Sequence, residues 1–97
     1  MLTGKQRKYL KSLANNIEPT VFIGKNGITE NIYAELATGF RVRELVKVDI
    51  QKGSPLGAKE TAEKLAEEID AEFVQAIGRK FVLYRASEED PKIVLPK

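Results

Sequence analysis

Apolar residues along this chain switch repeatedly between a spacing of three to four and a spacing of two, and this constrains the fold more than any other feature. Tyr9, Leu10, Leu13 and Ile17 recur at helical spacing, whereas Val46, Val48 and Ile50 alternate with Lys47 and Asp49. The first period belongs to a helix stripe and the second to a half-buried strand. Followed from end to end, the pattern predicts the order α-β-α-β-α-β-β.

The first helix opens at Thr3-Gly4-Lys5-Gln6, where the Thr3 hydroxyl can cap the third helical amide and Gln6 can reach back to the cap's own N–H. It docks through Leu10 and Leu13, and Arg7, Lys8 and Lys11 form a basic back. Asn15-Asn16 breaks it, and Pro19-Thr20-Val21-Phe22-Ile23 reads as a short strand. Gly24-Lys25-Asn26-Gly27 then joins that strand to a second helix, with Thr29 as N-cap, Ile28 as staple and Ile32, Tyr33, Leu36 and Phe40 inward. Leu45 to Ile50 is the second strand. Ala58 to Asp70 is a third helix with Ala58, Thr61, Ala62, Leu65, Ala66 and Ile69 inward and acids outward. Glu72 to Ile77 and Phe81 to Arg85 read as a hairpin around Gly78-Arg79-Lys80, and Ile93 to Pro96 as an extended tail.

Two strand-helix-strand units favour parallel pairing through right-handed crossovers, and the hairpin adds an antiparallel strand. The expectation is one α+β domain over residues 1–97, with a mixed four-stranded sheet packed with three helices. Only the second strand has a plainly polar face, so the pattern leaves open how the helices divide between the sheet's sides.

A chain of 97 residues that is 42% hydrophobic can bury one core without disulfides or metal. Cysteine and histidine are both absent, which removes thiol nucleophiles, Ser-His-Asp and Cys-His catalysis and the usual zinc ligand sets. No enzyme activity and no cofactor are expected. No run approaches the roughly 20 apolar residues that span a bilayer, and the first residues carry no signal-like apolar stretch. A cytoplasmic protein is therefore expected, with no membrane partner.

The net charge of +2 conceals a strong segregation. Residues 1–27 carry Lys5, Arg7, Lys8, Lys11 and Lys25 against Glu18 alone, residues 28–77 carry ten acids against six bases, and the remainder is basic again. One surface is suited to a polyanion while another stays acidic. Gly24-Lys25-Asn26-Gly27 sharpens this, because two glycines let a sugar-phosphate chain approach the backbone and a helix N-terminus beyond them favours phosphate. KH domains clamp nucleotides with such a GxxG loop; equally, Asn26-Gly27 can be an ordinary turn. Gly78-Arg79-Lys80 is a second basic tip and Arg85 a further candidate contact, with Tyr84 read as core rather than as a stacking ring. Glu60, Glu63, Glu67 and Glu68 read as a solvated helix face.

Taken in order, several blocks resemble the CRM domain in its stand-alone bacterial, YhbY-like form. They are Lys5-Gln6-Arg7 with Leu10 to Ala14, Ile23 to Thr29, Leu45 to Val48, Val74 to Arg79 with Val82 to Arg85, and Ile93 to Lys97. The resemblance implies a fold similar to the C-terminal domain of translation initiation factor 3 and an activity of RNA binding. Relatives associate with precursors of the large ribosomal subunit in bacteria, while plant members sit in multidomain factors for organellar intron splicing. A single copy favours the ribosome-assembly role. RNA, and specifically ribosomal RNA of large-subunit precursors, is the implied partner, and the protein is expected to act as a monomer. The expected contacts are Lys5, Lys8, Lys11, Gly24, Lys25, Asn26, Gly27, Arg79, Lys80 and Arg85. The alternative is a protein-interaction adaptor that binds a basic partner through the acidic third helix.

Overall fold

The computed structural model describes residues 2–97. Its elements follow the expected order: α1 (Gly4–Ala14), β1 (Val21–Ile23), α2 (Glu30–Arg43), β2 (Leu45–Ile50), α3 (Ala58–Glu68), β3 (Glu72–Ile77) and β4 (Lys80–Tyr84). α1 starts where side chains meet its orphan amides. Gln6 N donates to Thr3 Oγ1 at 3.1 Å, and Thr3 N donates to Gln6 Oε1 at 3.1 Å, closing a capping box. Thr29 caps α2 by accepting from Ile32 N at 3.4 Å, and Ile28 packs onto the core beside it.

The sheet runs in the order β1-β2-β4-β3. β1 pairs parallel with β2, as expected for the first strand-helix-strand unit. β2 and β3 also point the same way, but β4 lies between them and pairs antiparallel with both. The second parallel pair expected from the sequence is therefore not formed. Its cause is the tight turn at Gly78-Arg79, which sends β4 straight back along β3 into the gap that the α3 crossover leaves. Ile77 faces Lys80 across the turn, and only Gly78 of the two turn residues has positive φ, +62°, as a type II′ hairpin requires.

Alternation along the strands separates two apolar clusters. Val21, Ile23, Val46, Val48, Ile50, Phe81 and Leu83 meet Ile32, Leu36 and Phe40 of α2 and Ala62 and Leu65 of α3. On the other face Leu45, Val74, Val82 and Tyr84 meet Leu10 and Ala14 of α1, with Ile93 and Leu95 of the C-terminal tail packed alongside. The helices thus divide two and one. In α1 the small Ala14 takes a buried place, while Tyr9, expected inward, is 38% exposed. Arg7 leaves the basic back that was expected for it, since its Nε donates to Phe73 O at 3.3 Å.

Two irregularities shape the second face. Between Phe73 and Gln75 the pairing of β3 with β4 slips by one residue. This bulge reverses the strand's alternation, so Phe73 and Ala76 both pack toward α3 while Ile77 is turned to the α1 side. The second irregularity is Glu44, fully buried at the C-cap of α2 with φ +66°. Its carboxylate accepts from Ser87 N at 2.7 Å, Lys92 N at 2.6 Å and Ile93 N at 2.8 Å. Burial pushes this carboxyl up, yet the three backbone donors and the Lys92 charge together hold it below the usual glutamate value. The tail is thereby clasped at one end, and Gln6 Nε2 donates to Pro96 O at 3.1 Å near the other.

Candidate functional site

The pairing just described brings the C-terminal ends of β1, β2 and β3 and the N-terminal end of β4 to one end of the sheet. Three connections emerge there together, spanning 24–29, 51–57 and 78–79. Backbone hydrogen bonds bind two of them to neighbouring strands: Gln51 N donates to Ile23 O and Ile50 N donates to Arg79 O, both at 2.8 Å. Lys25, Asn26, Lys52, Arg79 and Lys80 are all exposed at this end. Lys80 Nζ lies 3.9 Å from Asp49 Oδ2, an ion pair loose enough to contribute only about 0–1 kcal/mol. The ammonium is therefore free to meet a stronger anion.

The two loop glycines do different things. Gly27 has φ +73°, and its N–H donates to Gly24 O at 3.1 Å, so it makes the turn. Gly24 has no such backbone requirement, and a Cβ placed there would meet nothing within 4 Å. Its missing side chain leaves open space above the backbone, which is the property a close ligand needs. The α2 N-terminus contributes less than the sequence suggests. Thr29 already accepts from Ile32 N, and Glu30 puts a negative charge in the first turn, where the dipole would otherwise draw phosphate. Attraction for an anion at this end comes from the basic side chains and the open turn.

Of the residues expected to form the site, Gly24, Lys25, Asn26, Gly27, Arg79 and Lys80 are brought together here. Arg85 is not, because it follows the far end of β4, five residues beyond Lys80 and roughly 17 Å away along the strand. Lys5, Lys8 and Lys11 are exposed on α1. The start of that helix is tied to the far end of the sheet, where Leu2 N donates to Glu72 Oε1 at 3.0 Å. Its C-terminus points toward the loops, held by Lys47 Nζ, which donates to Ala14 O and Ile17 O at 3.4 Å each. Lys11 is therefore the nearest of the three to the loop end. Lys52, which was not among the expected contacts, joins the cluster. Parallel pairing of β1 and β2 was the available clue, since it places the connections after both strands side by side. Tyr84 is 6% exposed, so it is a core residue; burial first and the Glu44 charge second raise its phenol pKa.

The acidic side chains Glu60, Glu63, Glu67 and Glu68 are exposed on α3, across the sheet from α1. Charge segregated along the sequence thus becomes charge segregated between faces. Among the described residues no cluster of acids could hold a metal ion, and no helix is long and apolar enough to cross a membrane.

Comparison with known proteins finds relatives named for RNA binding and a solved structure of the same fold. YqeI of Bacillus subtilis, named a probable RNA-binding protein, is 36% identical over 96 residues, covering 99% of this chain and 100% of its own. A Haemophilus influenzae protein named as RNA-binding is 38% identical over 96 residues, covering 99% of this chain and 96% of its own. The solution structure of the Staphylococcus aureus protein SAV1595 shares the fold with a TM-score of 0.81 and 47% identity, covering 99% of this chain and 100% of that one. Residues 2–85 match the model of the CRS1/YhbY (CRM) domain, and the chain belongs to that family.

Proposed function

We propose that this chain is an RNA-binding protein of the cytoplasm, acting as a single-domain monomer without catalysis, and that it assists assembly of the large ribosomal subunit by binding its precursor RNA. The observation that carries the reading is the meeting of three connections at one end of the sheet, which gathers Lys25, Lys52, Arg79 and Lys80 around a turn with open backbone at Gly24. Folded RNA presents closely spaced phosphates to such a cluster, and loop shape supplies selectivity. Lys5, Lys8 and Lys11 extend the basic track along α1, and Arg85 is a separate, more distant contact. Large-subunit precursors are the substrate that the family resemblance suggests.

The test is the paired substitution Lys25→Asp with Asn26→Asp. Both glycines stay, so the turn survives, and exposed changes of this kind alter stability by only about 0.5 kcal/mol or less. Two negative charges facing phosphate should nevertheless weaken RNA binding about a hundredfold or more. Gly24→Ala is the finer probe, because the free protein has room for the methyl group. Melting temperature and RNA dissociation constant are measured on both variants, together with RNase-sensitive co-sedimentation of the wild type with large-subunit precursors. A retained fold with retained affinity would sink the loop as the contact surface, and sedimentation indifferent to RNase would remove the ribosomal partner.

A further inference from the structure

We infer that the part of the sheet left open by α1 is a seat for unpaired nucleobases; this rests on the RNA-binding reading above and adds what the RNA must offer. α1 and the tail cover the face only around Leu45, Val74, Val82 and Tyr84. Beyond the last turn of α1, one row crosses all four strands: Phe22 beside Asp49, Asp49 beside Lys80, and Lys80 beside Ile77. Phe22 is 52% and Ile77 67% exposed, so an aromatic ring and a large aliphatic group flank the Asp49–Lys80 pair in open solvent. A pocket of about 210 Å³ adjoins the row, bringing Asn15, Lys47 and Gln75 up to Ile77 and Lys80. Ile77 faces this way only because the β3 bulge reverses the strand's alternation.

The chemistry selects the occupant. A ring and an aliphatic side chain about 14 Å apart, three strand spacings, can each carry the flat face of a base. Between and beside them Asp49, Asn15 and Gln75 offer acceptors and donors to base edges. The patch is also continuous with the basic loop end, since Gly24 follows Phe22 by two residues and Arg79 lies between Ile77 and Lys80's neighbour Phe81 in the chain. A protein surface seated on Phe22 and Ile77 would have to accommodate Lys80 and Arg79 as well. A single strand meets both needs at once, with bases on the apolar groups and phosphates on the cations. Paired bases cannot reach the sheet, because their faces are stacked within the duplex.

The experiment compares an unstructured single-stranded RNA with a fully paired RNA of equal length on wild type, Phe22→Ala and Phe22→Trp. Phe22→Ala should bind the single strand about tenfold more weakly and the duplex unchanged, with the melting temperature held. Phe22→Trp should retain affinity, and because the protein has no other tryptophan, quenching of the new indole emission by single strand but not by duplex reports the stacking directly. Equal affinities of wild type and Phe22→Ala for the single strand would overturn this inference and leave the loop reading intact, as would an equal loss for both RNAs. Failure of the wild type to bind either RNA would overturn both readings. Self-association that Phe22→Ala abolishes at unchanged RNA affinity would assign the patch to a second copy of the chain and overturn the proposal.

Discussion

The two faces of the sheet are covered by different means. One is sealed by α2 and α3, whose buried stripes meet alternate residues of β1, β2 and β4. The other carries one helix, a tail without regular structure and a stretch of exposed strand. The first face is a conventional core. The second needs special fixings: Glu44 holds the tail through three backbone donors, Gln6 joins the helix cap to Pro96, and Lys47 ties down the end of α1. A surface that must keep basic residues and open strand in reach of a ligand cannot also be roofed by packed helices. The larger apolar core therefore lies behind the sheet, and the groups proposed to meet RNA lie in front of it and at its loop end.

The largest expected effect measures this difference with one chemical change made on each face. Leu83 and Leu10 are both fully buried, Leu83 under α2 and α3 and Leu10 within α1. Leucine-to-alanine changes cost about 2.7–5.0 kcal/mol, more where surrounding atoms cannot close the cavity. Leu83→Ala is held between a central strand and two helices and should fall near the upper limit, about 4–5 kcal/mol. Leu10→Ala lies on a helix that can shift toward the sheet together with the tail, and should cost about 3 kcal/mol. Urea unfolding of the two variants decides the matter; a larger loss for Leu10→Ala would show the second face to be as rigid as the first.

Glu44 gives a smaller effect and one that depends on pH. In Glu44→Gln one oxygen becomes an amide donor facing a backbone N–H, and the variant should lose about 2 kcal/mol, the range for a buried charged hydrogen bond left unmade. The native carboxyl titrates below its ordinary value, because its three N–H donors and Lys92 outweigh burial. Its stabilising contribution is therefore complete above the ordinary glutamate range and is lost as pH falls through the lower native value. Hydrogen exchange at Ser87, Lys92 and Ile93 should accelerate in that acid window before amides under α2 and α3 do. In Glu44→Gln exchange at these amides should already be fast at neutral pH. Uniform acceleration on both faces would mean that the tail is not a separate unit.

Sequence reasoning reached the elements because local periodicity determines them. The limits of β2 and β3, the Thr3 capping box, the Thr29 cap and the inward residues of α3 all appear as expected. What it missed depends on contacts between distant segments. Nothing local places β4 between β2 and β3, and nothing in Glu72 to Ile77 announces that one residue is bulged out, so the exposure of Ile77 could not be read from alternation. Phe22 looked like any aromatic in a short strand. Nothing near Glu44 in the chain marks it as buried, because its partners lie 43 to 49 residues further along. In the candidate site the Gly24–Gly27 turn and the Gly78-Arg79 tip were visible as motifs. Lys52 and the distance of Arg85 from the rest became apparent only with the strand order.

The smallest expected effect concerns the acidic helix behind the sheet. In the pair of changes Glu63→Gln and Glu67→Gln, Glu63 has Lys59 four residues before it and Glu67 four residues after it. With Glu60 and Lys64 three residues before them, two attractions and two repulsions of about 0.2–0.5 kcal/mol each are removed together, so stability should move by less than about 0.5 kcal/mol. The side chains point away from the sheet on the face opposite α1, with the sheet between them and the basic track. At physiological ionic strength charges separated by more than about 8 Å are largely screened, so RNA affinity should rise less than about twofold. Filter-binding at that ionic strength and thermal melting are sufficient measurements. If the pair instead abolished association with ribosomal precursors at unchanged stability, the functional surface would be the sealed face, and α3 would be acting as an acidic adaptor for a basic partner.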